Sequence, residues 1–188
     1  MLSSWGERGF TYEVGGHDYQ VSLGAFFQGN RFLVEPLLRM VAAQGTGKLA
    51  WDLFAGVGLF SKELARHFSQ VVAVEGAPIS SADLRTNLPG QRVVESSTLA
   101  FLSREIRTAQ KPDTIVLDPP RAGLGLEATR LLANVRSQSI TYVSCDPATL
   151  ARDLRVLVDA GYTISQLHLV DMFPQTFHLE TVARLELR

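Results

Sequence analysis

From residue 48 onward, short apolar runs alternate with longer amphipathic runs. The short runs have the length and β-branched content of buried strands, and the longer runs have the period of helices. Five such pairs in series predict an α/β fold with a parallel sheet covered by helices on both faces. The predicted strands are KLAWDLF, QVVAVEG, QRVVES, DTIVLD and SITYVS, and the helices are GLFSKELARHF, PISSADLRTNL, TLAFLSREIRTA, GLEATRLLANV and PATLARDLRVLVDAG.

The C-terminal part of the chain departs from this alternation. Two strand-like runs, 162–173 and 180–188, are separated only by the short segment PQTFHL. Because this segment is too short for a helical crossover, we expect the two strands to pair antiparallel.

The N-terminal part predicts a small addition to the core. FTYEVGGHDYQVSL has the pattern of a hairpin that turns at its paired glycines, and NRFLVEPLLRMVAAQG that of a helix with Asn30 as N-cap and Gly45 at its end. We therefore expect residues 1–45 to form a hairpin and a helix, residues 46–188 the alternating core, and the two together one domain.

Composition narrows the class of protein. A chain of 188 residues, of which 46% are hydrophobic, is large enough for one globular core. It has no apolar run of membrane-spanning length and no signal-peptide pattern, so we expect a cytoplasmic protein without a membrane partner. The net charge of −1 lacks the basic excess of an autonomous nucleic-acid-binding domain. The four histidines and one cysteine show no zinc-ligand spacing, so no metal is expected.

Small and polar residues follow the first two strands of the predicted core. Ligands of open α/β sheets bind at that edge, where parallel strands end. Asp52, Gly56 and Gly58 lie in the first turn, where glycine lets a ligand approach the backbone, and Glu75 ends the second strand. An acidic residue at that place commonly holds the ribose hydroxyls of a nucleoside cofactor.

The details of this turn favour S-adenosylmethionine over a nicotinamide dinucleotide. Asp52 precedes the glycines, Ser61 stands at the third glycine of the dinucleotide pattern, and DPPR follows the fourth strand. A dinucleotide also needs a helix N-terminus open to its pyrophosphate. A glycine turn alone is equally compatible with a generic connection between strand and helix.

The fourth strand ends in Asp118-Pro119-Pro120-Arg121. Two prolines remove two backbone donors and stiffen the turn, so the Asp118 side chain is presented at the sheet edge. The simpler alternative is that this sequence only terminates the strand.

Cys145, the only cysteine, follows the fifth strand, with Asp146 and Pro147 as N-cap and first residue of the next helix. A helix N-terminus lowers the pKa of a thiol, whereas the Asp146 carboxylate opposes that shift. The sequence leaves the net direction open, and it leaves open a thiol that is only part of the core.

Glu180 opens the last strand. An antiparallel strand starts at the edge where parallel strands end, so Glu180 is predicted to lie near Cys145 and Asp118. It is then either a general base or a solvated carboxylate of an edge strand.

Five stretches together resemble the catalytic domain of the RNA uracil-C5 methyltransferases, which act on tRNA or large-subunit rRNA. They are FFQGN, WDLFAGVGLFS, LDPPRAGL, YVSCDPATLARDL and DMFPQTFHLETVARLEL, and the resemblance covers the chain from about residue 10. It implies a Rossmann-like class I S-adenosylmethionine-dependent methyltransferase fold, with a mostly parallel sheet and a C-terminal antiparallel strand.

The resemblance also implies roles for individual residues. Cys145 would be the nucleophile that adds to uracil C6, and Glu180 the base that removes the C5 proton. S-adenosylmethionine is the implied cofactor and RNA the implied substrate, rRNA ahead of tRNA, for a protein expected to be monomeric. The implied cofactor-binding residues are Gln28, Phe54, Gly56, Gly58, Glu75 and Asp118.

Members of this family usually carry an N-terminal RNA-binding barrel, which we do not expect within this sequence; either the sequence is a C-terminal fragment of a longer protein or the RNA is held by other means. Two alternatives of other classes stay open: another S-adenosylmethionine-dependent nucleic-acid methyltransferase that uses the DPP turn, and a non-catalytic cofactor-binding RNA module. The former class usually places an aromatic residue after the prolines, where this chain has Arg121. A DNA cytosine-C5 enzyme and an NAD-dependent oxidoreductase fit less well.

Overall fold

The computed structural model describes residues 8–42, 45–106, 110–176 and 179–188. At the N-terminal end, β1 (Gly9–Val14) and β2 (His17–Ser22) form an antiparallel hairpin, and α1 (Val34–Ala42) follows. Asn30 Oδ1 accepts hydrogen bonds from the backbone N–H groups of Phe32 and Leu33, so it caps the turn that leads into α1 rather than the helix itself.

The core alternates strands and helices as predicted. Its elements are β3 (Gly47–Leu53), α2 (Leu59–His67), β4 (Phe68–Glu75), α3 (Pro78–Asn87), β5 (Arg92–Glu95), α4 (Thr98–Glu105), β6 (Thr114–Leu117), α5 (Leu126–Val135), β7 (Ser139–Ser144), α6 (Pro147–Asp159), β8 (Tyr162–Val170) and β9 (Glu180–Leu187).

The seven core strands form one sheet in the order β5-β4-β3-β6-β7-β9-β8. The first five are parallel, and β9 pairs antiparallel with both β7 and β8. The predicted antiparallel pairing of the last two strands is therefore confirmed. The sequence pattern did not indicate that the final strand inserts between β7 and β8, which brings the start of β9 beside the end of β7.

Each face of the sheet carries its own apolar cluster, as expected for a sheet covered on both sides. The hairpin, α1, α2 and α3 cover one face, and α4, α5 and α6 cover the other. We call these the hairpin face and the α6 face.

The hairpin is fixed to the core by side chains of α3. The backbone N–H of Gln20 donates to Asn87 Oδ1 (2.7 Å), and that of Ser22 donates to Asp83 Oδ2 (2.7 Å). These acceptors satisfy backbone N–H groups on the outer edge of β2. The loop that follows the hairpin therefore begins at a fixed position relative to the core.

Some predicted boundaries fall outside the described residues. The residues outside the described ranges are 1–7, 43–44 at the end of the first predicted helix, 107–109 at the end of the third predicted core helix, and 177–178. Across the part of the chain that the structure describes, each helix is too short or too polar to cross a membrane.

Candidate active site

Four polar residues meet on the hairpin face, at the edge where the parallel strands end. Side chains two positions apart on an extended chain point to the same face of a sheet. Each of the four lies two positions from a residue of the apolar cluster on that face, so all four are presented together. The pairs are Ala50 with Asp52, Val116 with Asp118, Val143 with Cys145 and Val182 with Glu180.

The turn after β3 has the backbone of a ligand cradle. Phe54, Gly56 and Gly58 have positive φ angles of 62°, 56° and 100°. A Cβ on Gly58 would come within 2.8 Å of Leu84 Cδ1, whereas a Cβ on Gly56 would meet no heavy atom within 4 Å. Gly58 is therefore favoured by its φ of 100° and by its close approach to Leu84, and Gly56 leaves open space next to the backbone. Positive φ at Phe54, a non-glycine residue, is strain of the kind that clusters at functional sites.

Glu75 shapes this turn from the end of β4. Its Oε2 accepts a hydrogen bond from the Gly56 N–H (2.8 Å), and its Oε1 accepts one from the Ala77 N–H (2.7 Å). A carboxylate has about four lone-pair sites, so each oxygen retains capacity for a further donor. The sequence-predicted pair of Gly56 and Glu75 is thus in direct contact.

Asp52 lies beneath the glycine turn and is 1% exposed. Its Oδ2 accepts a hydrogen bond from the Ser61 hydroxyl (2.5 Å), and its Oδ1 has no partner among the described residues. Burial raises the pKa of Asp52 to about 7, and the nearby Glu75 carboxylate adds to the shift. Ser61 thus stands at the third glycine position of the dinucleotide pattern because it satisfies this buried carboxyl.

Gln28 lies in the loop between β2 and α1. It is 6% exposed, and its Oε1 has no hydrogen-bond partner among the described residues. A buried unsatisfied amide oxygen costs free energy unless a ligand or water supplies a donor. The loop is held nearby by Asn30, whose Nδ2 donates to the carbonyl of Met172 (3.0 Å).

Asp118 occupies the end of β6, as predicted. Burial and the neighbouring carboxyls of Glu180 and Asp52 raise its pKa to about 8. At neutral pH this carboxyl is therefore mostly protonated in the free protein, and a cation placed beside it would favour its ionised form.

Cys145 is partly buried directly after β7, and Asp146 caps α6 by accepting from the Thr149 N–H (2.8 Å). Burial raises the pKa of the thiol above its ordinary value, and the carboxyls of Glu180 and Asp118 raise it further. The opposing effects that the sequence left open are thereby resolved by two carboxyls that lie far away along the chain. The thiol of the free protein is a neutral group at physiological pH.

Glu180 is 4% exposed, so it is not a solvated edge carboxylate. The last register pair between β7 and β9 joins Ser144 to Thr181, which places Glu180 across from Cys145. Burial raises the pKa of Glu180, and its Oε2 has no partner among the described residues. A buried, unpaired carboxyl with a raised pKa beside a thiol has the properties of a general base.

The structure places the sequence-predicted residues in different surroundings. Asp118, Cys145 and Glu180 are electrostatically coupled, and Gly56 contacts Glu75. Gln28 is buried in the adjoining loop, whereas the Phe54 ring packs, half buried, on the α6 face. Sequence reasoning missed Asn30 as the residue that ties the Gln28 loop to Met172, because an N-cap pattern explained it fully.

The sequence is similar to those of known RNA methyltransferases. Residues 104–188 match the model of the tRNA (Uracil-5-)-methyltransferase family. An uncharacterized RNA methyltransferase of Thermotoga maritima is 36% identical over 96% of the chain and 42% of its own length. The 23S rRNA (uracil(1939)-C(5))-methyltransferase RlmD of Shewanella woodyi is 40% identical over 84% of the chain and 36% of its own length.

Among solved structures, the tRNA (uracil-54, C5)-methyltransferase of Pyrococcus abyssi, in complex with S-adenosyl-L-homocysteine, superposes with a TM-score of 0.83. The two share 31% identity over 96% of the chain and 45% of the Pyrococcus protein. The fold is thus that of a Rossmann-like class I methyltransferase. The chain resembles the catalytic part of RNA uracil-C5 methyltransferases in both sequence and fold. It spans less than half the length of these relatives.

Proposed function

We propose that the protein methylates C5 of uracil in RNA, with Cys145 as nucleophile, Glu180 as base and S-adenosylmethionine as methyl donor. The observation that carries this proposal is the meeting of a single thiol and a buried glutamate, whose Oε2 has no partner among the described residues, at the strand ends. The family relationship supports the same chemistry.

The described residues fit this cofactor. Gly56 leaves space beside a backbone of positive φ, and Glu75 lies next to it with lone pairs that ribose hydroxyls can use. The buried Oε1 of Gln28 lacks a donor, and the amino group of the cofactor carries several. Asp52 and Asp118 give the site acidic character, which suits a cationic sulfonium. When bound, S-adenosylmethionine supplies an electrophilic methyl group.

Cys145 supplies the activation that uracil needs, because C5 of uracil is a poor nucleophile. The thiolate adds to C6, a C–S bond forms, and the electron pair of the C5–C6 double bond makes C5 an enolate carbon that can accept a methyl group. The thiol must first lose its proton, and a nearby carboxylate is the group to receive it. The uracil has to leave its base stack to reach Cys145 at the strand ends.

Glu180 completes the reaction. After C5 is methylated, it still carries its original hydrogen, and Glu180 takes this hydrogen as a proton. The electron pair left on C5 restores the double bond, the C–S bond breaks, and Cys145 leaves as a thiolate. A carboxylate with a raised pKa is well matched to this step at neutral pH.

We propose rRNA as the substrate ahead of tRNA. In support, the Shewanella woodyi rRNA enzyme is 40% identical to this chain, whereas the Pyrococcus abyssi tRNA enzyme is 31% identical. With a net charge of −1, this chain by itself is expected to bind RNA phosphates only weakly.

The covalent mechanism is tested with RNA in which 5-fluorouridine replaces uridine. Fluorine at C5 cannot be removed as a proton, so the enzyme stays attached to methylated RNA and migrates more slowly in a denaturing gel. We expect an adduct that requires S-adenosylmethionine and is absent from Cys145→Ala. Peptide mass spectrometry then locates the RNA on Cys145.

The matched control is Ser144→Ala, which changes the neighbouring hydroxyl but retains the thiol. Binding of S-adenosylmethionine is measured for each variant by calorimetry. If wild type binds the cofactor and methylates RNA without any adduct, the covalent mechanism is wrong. Methylation of an exocyclic amino group would then indicate the amino-methyltransferase alternative.

A further inference from the structure

The loop that follows Asp118 is attached to the first two turns of α6 by successive side chains. The Thr149 hydroxyl lies 3.0 Å from the carbonyl oxygen of Arg121, and the Arg152 guanidinium donates to the carbonyl of Ala122 (2.9 Å). The Leu124 N–H donates to Asp153 Oδ2 (2.8 Å). One helix thus holds Arg121, Ala122 and Leu124 of the loop by hydrogen bonds.

Asp153 is the centre of this attachment and is 0% exposed. Its Oδ2 accepts a hydrogen bond from the Tyr142 hydroxyl (2.7 Å) in addition to that from Leu124, and its Oδ1 accepts one from Arg152 (2.9 Å). The Tyr142 oxygen itself lies 3.0 Å from the Leu124 N–H. A buried carboxylate with this many charge-assisted bonds holds its partners firmly.

The loop approaches the helix so closely that one position admits only glycine. Gly123 has a φ of 71°, and a Cβ there would lie 2.6 Å from Asp153 Oδ2 and 2.8 Å from a guanidinium nitrogen of Arg152. The sequence RAGLG therefore brings the backbone into contact with the Asp153 carboxylate.

The same helix also fixes the thiol. Cys145 precedes the N-cap Asp146, which accepts from the Thr149 N–H, and the Thr149 hydroxyl lies 3.0 Å from Asp146 Oδ1. Thr149 therefore contacts both the segment that carries Cys145 and the loop that carries Asp118. Asp118 and Cys145 follow two paired strands, and the first turn of α6 adds a second connection between the segments that carry them.

We propose that Asp153, together with Tyr142 and Thr149, positions the loop 118–124 on α6 and so fixes Asp118 relative to Cys145. These residues contact neither reacting group and act through the backbone of the loop. The assignment of Asp118 and Cys145 to the reaction rests on the proposed function, but the placement of the loop does not.

The test uses Cys145 as a reporter, because it is the only thiol of the chain. Its alkylation by iodoacetamide is followed as a function of pH without RNA or cofactor. The midpoint of the profile reports the charges that face the thiol, which are Glu180 from β9, and Asp118 and Arg121 from the loop. The plateau at high pH reports accessibility separately. When the loop loosens, Asp118 moves away and the midpoint falls.

Tyr142→Phe and Tyr162→Phe form a matched pair. Both tyrosines are fully buried, and the Tyr162 hydroxyl donates to the carbonyl of Ser137 (3.0 Å) at the opposite end of the sheet. We expect similar losses in the urea midpoint of unfolding for both variants. Only Tyr142→Phe should lower the alkylation midpoint and raise the alkylation rate at pH 9, where Asp118 is ionised, by about threefold for a shift of about half a pH unit.

Thr149→Val and Thr149→Ser form a second, milder pair on the helix surface. Valine has the shape of threonine but no hydroxyl for the Arg121 carbonyl, whereas serine retains it. We expect Thr149→Val to shift the profile in the same direction and Thr149→Ser to restore it. Unchanged midpoints in both Tyr142→Phe and Thr149→Val, with both proteins folded, would overturn the proposal.

Adduct formation on 5-fluorouridine RNA separates this proposal from the proposed function. If wild type forms the adduct, the positioning variants should form it at least about threefold more slowly at saturating RNA, because a displaced Asp118 affects the reacting groups rather than RNA contacts. If wild type forms none, the alkylation profiles still decide whether α6 positions the loop.

Discussion

Glu180 lies across from Cys145 because β9 inserts antiparallel beside β7, with Thr181 opposite Ser144 as the last register pair. The two side chains come from positions thirty-five residues apart in the sequence, yet the pKa of the Cys145 thiol, which burial already raises, is raised further by the Glu180 carboxyl. A buried carboxylate beside a thiol disfavours the thiolate, which protects the free protein from alkylation and oxidation. Reactivity is then reserved for the state in which a substrate fills the site.

Removal of the Glu180 charge should make Cys145 more reactive in the free protein. In Glu180→Gln the pKa of the thiol falls, because the neighbouring negative charge is lost while burial hardly changes. We expect alkylation at pH 7.5 to accelerate about three- to tenfold, corresponding to roughly half a unit to one unit of pKa. The same variant should lose methyl transfer at the step that removes the C5 proton, so trapped adducts on normal uridine should accumulate.

The control for this experiment is Glu13→Gln, which removes an exposed carboxylate from the hairpin. It changes the net charge by the same amount, so a general charge effect would appear in both variants. Equal alkylation rates in Glu180→Gln and wild type would contradict the electrostatic coupling of Glu180 and Cys145.

Asp118→Asn should stabilise the protein at alkaline pH. The folded-state pKa of Asp118 is raised to about 8, so between pH 4 and pH 8 the folded state retains a proton that the unfolded state has lost. Stability contributed by this group is therefore full at low pH and falls as pH rises towards 8. After a discount for partial exposure, we expect Asp118→Asn to raise the free energy of unfolding by about 1–2 kcal/mol at pH 8.5.

Urea denaturation at pH 4.5 and pH 8.5 measures this difference. At pH 4.5 the carboxyl is protonated in the folded protein, so the gain from asparagine should nearly vanish. A constant gain at both pH values would mean that packing, rather than ionisation, distinguishes the two side chains.

Much of the fold follows from local patterns. The alternation of strands and helices, the hairpin and the antiparallel end are all encoded in short-range hydrophobic periodicity and in loop lengths. The insertion of β9 between β7 and β8 is not encoded in these local patterns. The sequence of β9 has the same pattern of buried residues whether β9 lies between β7 and β8 or beyond β8. The strand order is decided by packing of the whole sheet.

The sequence indicates those residues of the candidate site that lie in the glycine turn or directly at the end of a strand. Gly56, Gly58, Glu75 and Asp118 were indicated by their places at strand ends. The direction of the shift in the Cys145 pKa was not predictable, because it depends on burial and on two carboxyls, and the folded sheet alone determines both. Asp153 went unnoticed, since within ATLARDL it reads as one more polar residue of an exposed helix face.

Gly56→Ala should impair cofactor binding out of proportion to its effect on folding. The new Cβ meets no protein atom within 4 Å, so its cost to stability is the strain of positive φ, about 1–2 kcal/mol. In the proposed complex that space belongs to the cofactor, and we expect affinity for S-adenosylhomocysteine to fall at least about tenfold. Calorimetry on the folded variant measures the affinity.

Gly90→Ala is the matched control for this variant. Gly90 also has a positive φ, of 80°, and a Cβ at this position would likewise meet no heavy atom within 4 Å, but Gly90 lies in the turn before β5. Both variants should lose similar stability, and only Gly56→Ala should lose affinity. Parallel loss of affinity in the two variants would show that strain, rather than occupied space, weakens binding.

The preference of the site for S-adenosylmethionine over S-adenosylhomocysteine should increase with pH. The two molecules differ by one methyl group and by the positive charge of the sulfonium, and they carry the same amino and carboxyl groups. The pKa values of Asp52 and Asp118 are raised to about 7 and about 8, so these carboxyls gain negative charge between pH 6 and pH 9. A cation is attracted only by the ionised form, so the affinity ratio should rise by about three- to tenfold over this range.

Paired calorimetric titrations with both compounds at pH 6, 7, 8 and 9 give this ratio, once the separately measured ionisation of each compound's amino group is taken into account. In Asp118→Asn the ratio should rise less, with the remaining increase centred near pH 7, where Asp52 ionises. A ratio that is flat in wild type would mean that these carboxyls do not face the sulfonium, and that the acidic character of the site acts on the thiol and the substrate alone.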